Sequence, residues 1–151
     1  MSQARINIGV ISDTHGLVRE EAANALRGCE LIVHAGDVGD PNVLERLRAI
    51  APTIAVRGNN DKGSWAKALP TTEVVEIGEL YLYVLHELSD LDLDPKAAGF
   101  AAVISGHSHR PSAERREGIL YLNPGSAGPR RFALPVAVAK LQIVGGSLSH
   151  Q

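Results

Sequence analysis

The chain is nearly devoid of cysteine: Cys29 is the only one in 151 residues. An intrachain disulfide is therefore excluded, and so is a thiolate-rich zinc site. Any metal bound here must be held by nitrogen and oxygen. Long apolar runs are missing as well, so no segment is expected to cross or dock on a membrane. The first residues, Met1 to Asn7, lack the apolar core and small-residue cleavage site of a secretory signal, and a cytoplasmic location is expected. Neither sign of charge dominates. Lys and Arg total 15 against 17 Asp and Glu, a formal net charge of −2, which gives no basis for an extended nucleic-acid surface. A small nucleotide ligand stays compatible with that balance, because bound cations can supply positive charge locally. Repeats, low-complexity tracts and linkers are absent too. A single domain over 1–151 is expected at this length, and it can bury about two-thirds of its unfolded surface without covalent staples.

The apolar residues that are present come in short runs. Ile6 to Ser12 reads as a buried strand, Val18 to Arg27 as a helix, and Glu30 to His34 as a second strand. Pro41 to Ile50 opens with proline, which suits a first helical position, and Thr53 to Val56 is a third strand. This β-α-β-α-β order predicts a parallel sheet with helical crossovers. In the second half, Glu73 to Ile77 and Leu80 to Leu85 flank Gly78-Glu79, a hairpin turn. Ala101 to Ser105, Ile119 to Leu122 and Pro135 to Val144 are further strands. A parallel half followed by a strand-built half predicts an α/β fold of two packed sheets with helices outside.

Polar residues with chemical potential sit where these strands end. Asp13 and His15 follow the first, in S-D-T-H-G. Asp37 follows the second, in H-A-G-D-V-G-D. Asn59, Asn60 and Asp61 follow the third, in R-G-N-N-D. His86 follows the Leu80 strand, and His107 and His109 follow the Ala101 strand, in S-G-H-S-H. Ligands of open α/β sheets gather beyond the carboxyl ends of strands, so five strands deliver acid, amide and imidazole groups to one rim. Read singly, Asp13 and His15 are also a strand-end turn with a helix cap. Asp37 and Asp40 beside Gly36 and Gly39 are also turn residues, and Gly58 to Asp61 is another turn. A lone His86 is more often a packed histidine. Separate turns have no reason to converge on one rim, and their joint pattern favours a metal centre. Carboxylate and imidazole suit manganese, iron, zinc or nickel. The spacings D-x-H and H-x-H put two ligands on one side of an extended segment. A pair of cations about 3.5–4 Å apart can clamp the attacking and leaving oxygens of an in-line displacement.

The ordered set D-x-H, G-D, G-N-x-D, a single His after a strand, and G-H-x-H resembles the calcineurin-like metallophosphoesterases, most closely their small single-domain prokaryotic phosphodiesterase branch. The resemblance runs from Ile6 to Arg130 and includes Asn123-Pro124-Gly125-Ser126, similar to that branch's N-P-G-S loop. It implies a four-layer α-β-β-α sandwich of two mixed sheets, with the metal site at the strand C-terminal ends. It implies a first metal on Asp13, His15 and His109, a second on Asn59, His86 and His107, and Asp37 bridging them. A bridging hydroxide would be the nucleophile of a phosphodiesterase acting on small or nucleotide-like esters. Manganese is the first candidate for the two divalent ions, with nickel, iron and zinc behind it. Relatives often self-associate, so a homo-oligomer is among the expected partners. Two other readings share the resemblance: a phosphomonoesterase with the same site, and a non-catalytic scaffold like the eukaryotic retromer subunit of this fold.

Two positions depart from the pattern. Where many relatives have a histidine thought to assist the leaving group, this chain has Asn60. Where relatives often have glycine, it has Glu87, which narrows the site. Asp37, Asn59, Asn60 and Asp61 are the candidate catalytic residues, with Asp61 expected to orient Asn60 or pair with Arg57. His34 is expected to support or pack rather than ligate. The Pro124-Gly125 turn is expected to be structural. Arg130 and Arg131 are either a phosphate contact or a solvated basic pair. Leu88 to Pro95 is expected to be a surface loop, and His150 to lie in an exposed or disordered tail.

Overall fold

In the computed structural model the described residues are 5–128, 137–144 and 147–150; Arg130 and Arg131 lie outside them. Among the described residues, ten strands form two five-stranded mixed sheets. The first has the order β10-β9-β1-β2-β3, with β1 (Arg5–Ile11), β2 (Leu31–His34) and β3 (Thr53–Ala55) parallel and β9 (Ala139–Val144) and β10 (Ser147–His150) antiparallel at one edge. The second has the order β4-β5-β6-β8-β7. Its parallel centre is β5 (Leu80–Leu85), β6 (Ala102–Ile104) and β8 (Ile119–Asn123), flanked by antiparallel β4 (Thr72–Ile77) and β7 (Ser112–Arg116).

Alternation along the strands sorts the apolar residues into layers. Ile8, Val10 and Val33 from the first sheet meet Leu82, Val84, Ile104 and Leu120 from the second, all buried, and this is the inter-sheet core. The opposite face of the first sheet, Ile11 and Ile32, packs under α1 (Glu20–Leu26) and α2 (Pro41–Arg48) through Leu26, Val43, Leu44 and Leu47. Fully burying side chains of this kind is worth about 1.5–3 kcal/mol each. Asp40 starts α2: its carboxylate accepts from the Asn42 N–H at 2.8 Å while Pro41 occupies the first turn, the arrangement that satisfies an otherwise orphaned donor.

The outer face of the second sheet, Tyr83, Leu85 and Val103, is covered by Leu88, Leu91, Leu93 and Phe100. Those leucines come from the stretch expected as a surface loop. It holds a 3₁₀ turn at Leu88–Asp90 and leads into α4 (Pro95–Ala98), the short fourth layer; α3 (Ser64–Lys67) precedes β4. His150 is exposed as expected, but it lies in a strand, paired with Leu141.

Candidate metal centre

The chain reverses sharply where the strands meet the rim. Five of the seven candidate ligands, Asp13, His15, Asp37, His107 and His109, hold left-handed backbone with φ between 48° and 72°. Asp and His tolerate this region better than most residues, yet each such position costs about 1–3 kcal/mol and persists only where the surroundings enforce it. Here they do. The Asp13, His15 and Gly16 N–H groups donate to the Gly36, Asp37 and Val38 carbonyls at 3.0, 3.0 and 2.7 Å, zipping the first loop to the second. The extended-segment reading of D-x-H and H-x-H is therefore corrected. Asp13 and His15 do share a cluster, but through two left-handed residues, and His107 and His109 diverge into different clusters.

The first cluster is Asp13, His15 and His109 and the second is Asp37, His86 and His107, each with ligand atoms within 4.8 Å of one another. Asp37 Oδ2 lies 3.7 Å from His15 Nε2 and 3.3 Å from His86 Nε2, between the two clusters, as a bridging carboxylate requires. Asn59 joins the second: its Oδ1 is 2.9 Å from His86 Nε2 and 3.3 Å from His107 Nδ1. The His15 and His109 rings stack at 5.3 Å, and the His86 and His107 rings meet edge-on at 5.2 Å.

The donor set fits divalent cations. Among the described residues, buried Asp13 Oδ1 and His15 Nε2 have no hydrogen-bond partner, which is costly unless something else satisfies them. His86 Nδ1 lies 2.8 Å from the Ala35 carbonyl, which only accepts. Nδ1 therefore carries a proton, and Nε2 faces Asn59 Oδ1 and Asp37 Oδ2. With the ring neutral these are three acceptors with no donor among them, which either a second ring proton or a cation resolves, and a cation takes the neutral form. Nitrogen and oxygen ligands of this kind suit manganese, iron, nickel or zinc.

Burial pushes the Asp37 carboxyl up, but hydrogen bonding to His86 and to the Asn60 N–H outweighs it and holds Asp37 well below the usual carboxylate range. Burial pushes His86 down, while hydrogen bonds to Asp37 and the Ala35 carbonyl leave it raised. His34 behaves oppositely. Its Nδ1 accepts from the Gly36 N–H at 3.1 Å, and its Nε2 lies 3.0 Å from Thr14 Oγ1, whose own hydrogen goes to the Val38 carbonyl at 2.9 Å. His34 is thus fixed as the neutral Nε2–H form, and burial with neighbouring His86 pushes its pKa down to about 3. A supporting role, as expected, follows.

A pH prediction arises from this. Unfolded His34 takes a proton below its ordinary pKa of 6.5, whereas the folded one does so only near 3. Stability from this residue is complete above pH 6.5 and is lost as pH falls toward 3, at about 1.4 kcal/mol per unit. Denaturant unfolding of chelator-stripped protein between pH 7.5 and 4 should show a flatter acid slope for His34→Gln. Equal slopes would contradict the assignment.

The sequence profile of the calcineurin-like phosphoesterase superfamily domain matches residues 6–146. The chain belongs to that superfamily. It is a metal-dependent phosphoesterase, with the α/β architecture of its relatives. A probable metallophosphoesterase of Methanocaldococcus jannaschii is 35% identical over 149 residues, covering 90% of this chain and 75% of the relative. A solved structure described as a novel archaeal phosphodiesterase is 25% identical with a TM-score of 0.74, covering 92% of this chain and 99% of the other. Vps29 of Chaetomium thermophilum shares the fold, with a TM-score of 0.82 at 22% identity, covering 96% of this chain and 86% of the other.

Several contacts that steady the phosphoesterase site are made by residues that the motifs contain but to which they assign no role. Ser12 Oγ donates to Asp13 Oδ2 at 2.8 Å, and the His107 N–H donates to the same oxygen at 3.0 Å. Asn123 Nδ2 donates to the Gly106 carbonyl at 2.9 Å and Ser126 Oγ to the Asp13 carbonyl at 3.1 Å, so the N-P-G-S loop braces two ligand loops. Gly36, at φ 101°, allows the close approach of His86: a Cβ there would lie 2.6 Å from Nδ1. Asp61 differs from expectation. Rather than orienting Asn60 or pairing with Arg57, its carboxylate accepts from the Val38, Gly39 and Gly58 N–H groups at 3.1, 2.8 and 2.9 Å. Asn60 instead turns to Asp37, its N–H reaching Oδ1 at 2.9 Å and its side-chain amide Oδ2 at 3.1 Å.

Proposed function

We propose that this enzyme hydrolyses phosphodiesters, small or nucleotide-like, at two divalent cations, manganese first among candidates, held by Asp13, His15, Asp37, Asn59, His86, His107 and His109. The observation supporting a diester is that two clefts meet at the rim. One, about 740 Å³, runs past Asn59 and His86 toward Arg57 and Lys62. The other, about 380 Å³, runs past Gly106 and His107 toward Arg110 and Tyr121. A diester sends two organic arms away from phosphorus and has use for both; a monoester needs one.

Bound divalent cations acidify water and neutralise charge on phosphate oxygens. The chain's own residues set the rest. Asp37 stays ionised between the clusters. Asn60 holds both Asp37 oxygens and keeps one amide hydrogen for a substrate oxygen. It has no proton to give, so departure depends on the leaving group's own acidity, and aryl esters should react better than alkyl ones. Arg57 and Lys62 bring positive charge to the first cleft, where Glu87, Asp90 and Asp92 bring negative charge.

The test compares bis(p-nitrophenyl) phosphate with p-nitrophenyl phosphate, using chelator-stripped protein before and after adding manganese, nickel or zinc. Turnover should need metal, and kcat/KM for the diester should exceed that for the monoester by at least about tenfold, a 1.4 kcal/mol preference at the transition state. A faster monoester would make the enzyme a phosphomonoesterase. Absence of turnover with all three metals would make the chain a non-catalytic binding module. A second prediction concerns Asn60→His: restoring a proton donor should raise turnover of alkyl diesters by about 10²-fold or more, with little change for aryl esters. No gain on alkyl substrates would refute the role given to Asn60.

A further inference from the structure

We infer that Glu87 is a positioning residue for His107, completing a carboxylate–imidazole pair behind the second metal; the inference rests on the dimetal reading above. The two histidines of the second cluster turn different nitrogens inward. His86 presents Nε2 and His107 presents Nδ1, and both atoms face Asn59 Oδ1, at 2.9 and 3.3 Å. Each therefore needs an acceptor behind it to hold the proton on the outward nitrogen. For His86 that acceptor is the Ala35 carbonyl, 2.8 Å from Nδ1. For His107 the group behind is Glu87, whose Oε1 lies 3.6 Å from Nε2, within ion-pair range and just beyond hydrogen-bond length. A carboxylate behind a ligating imidazole fixes its tautomer and ring orientation and raises its basicity.

The fold holds Glu87 where this is possible. It follows His86 directly at the end of β5, in extended backbone with φ −116° and ψ 118°. Its carbonyl then accepts from the Asp90 N–H at 3.0 Å, closing the turn whose Leu88 packs on the outer face of the second sheet. Its side chain lines both clefts, so it forms the wall between the two arms of a diester as well as the support of His107. The His107 ring is 41% exposed, the most open of the cluster's imidazoles, and has the most to gain from being held.

The experiment is calorimetric titration of manganese alone into chelator-stripped protein, wild type against Glu87→Ala and Glu87→Gln, with thermal melts to confirm folding. Wild type should bind two equivalents. Glu87→Ala should weaken one site by about 10–100-fold and leave the other unchanged, the scale for losing a ligand's outer partner. Glu87→Gln keeps an acceptor oxygen and should recover most of that loss. In zinc-loaded protein, ¹⁵N NMR should find the His107 proton on Nε2 in wild type and a weakened preference in Glu87→Ala. Unchanged affinities in a folded Glu87→Ala, or equal weakening at both sites, would overturn the inference. Failure of wild type itself to bind two equivalents would instead overturn the dimetal reading.

Discussion

Replacing Asp37 by asparagine is expected to cut metal-dependent turnover of bis(p-nitrophenyl) phosphate by at least about 10³-fold, beyond the 10²–10³-fold typical of losing one electrostatic element at a transition state. Two effects combine. The first is charge: Asp37 is the carboxylate whose Oδ2 faces an imidazole of each cluster, His15 at 3.7 Å and His86 at 3.3 Å, and an amide there leaves two cations to repel one another across a neutral group. The second is competition. Because His86 Nδ1–H donates to the Ala35 carbonyl, the neutral ring that a cation needs has its lone pair at Nε2, and an asparagine NH₂ in place of Oδ2 can donate to it. The lone pair meant for a cation would then be occupied. The Asn60 side-chain amide, now 3.1 Å from Asp37 Oδ2, would meet a second donor, at a cost of about 1–3 kcal/mol. The variant should therefore stay folded, melt somewhat lower, and carry at most one equivalent of metal by elemental analysis. Two equivalents with lost turnover would keep Asp37 catalytic but remove its bridging role; undiminished turnover would sink both.

The candidate ligands are legible in the sequence because each strand end carries its chemistry in side chains. D-x-H, G-D and G-H-x-H are visible as letters, and the parallel β-α-β-α-β half places them on one rim. What the letters do not carry is the backbone. The ligand loops depend on left-handed residues and on carbonyls such as those of Ala35, Gly36 and Asp37, and any residue supplies those groups. His107 and His109 thus looked like a same-side pair and are split between clusters. The strands that escaped notice failed for a related reason. In β7, S-A-E-R-R is exposed along its whole length, so no apolar alternation marks it, and charge on an edge strand is a guard against mispairing. Its signal was the turn: Glu117 and Gly118, at φ 51° and 81°, form the two-residue hairpin link that demands positive φ at both positions. In β10, Leu148 alone packs toward the core.

Asp61→Ala is expected to be the most destabilising of the changes considered, and its effect on activity should exceed what unfolding explains. Nothing about the residue suggests this from composition alone, since its partners are three backbone N–H groups, those of Val38, Gly39 and Gly58. Those donors belong to two loops that the chain separates by about the length of α2 and β3, and the carboxylate is the clasp between them. Hydrogen bonds to a charged group contribute about 1.5–3 kcal/mol each, and they do not add fully. A loss of about 3–5 kcal/mol is the consequence, or roughly 6–20 °C in Tm for a domain of this size. Asp61→Asn keeps one acceptor oxygen and should fall between. Asp61 also holds Gly58 against Asp37, so closely that a Cβ on Gly58 would collide with the Asp37 backbone nitrogen and carboxylate. Without the clasp, Asn59 and Asn60 lose their registration on His86 and Asp37. Turnover measured well below the lowered Tm should therefore drop by about 10-fold or more, through kcat rather than KM, because the interactions lost act on the reacting centre. A variant that melts low yet turns over normally when folded would limit Asp61 to stability; one that melts normally would show that the clasp is not where the two loops are joined.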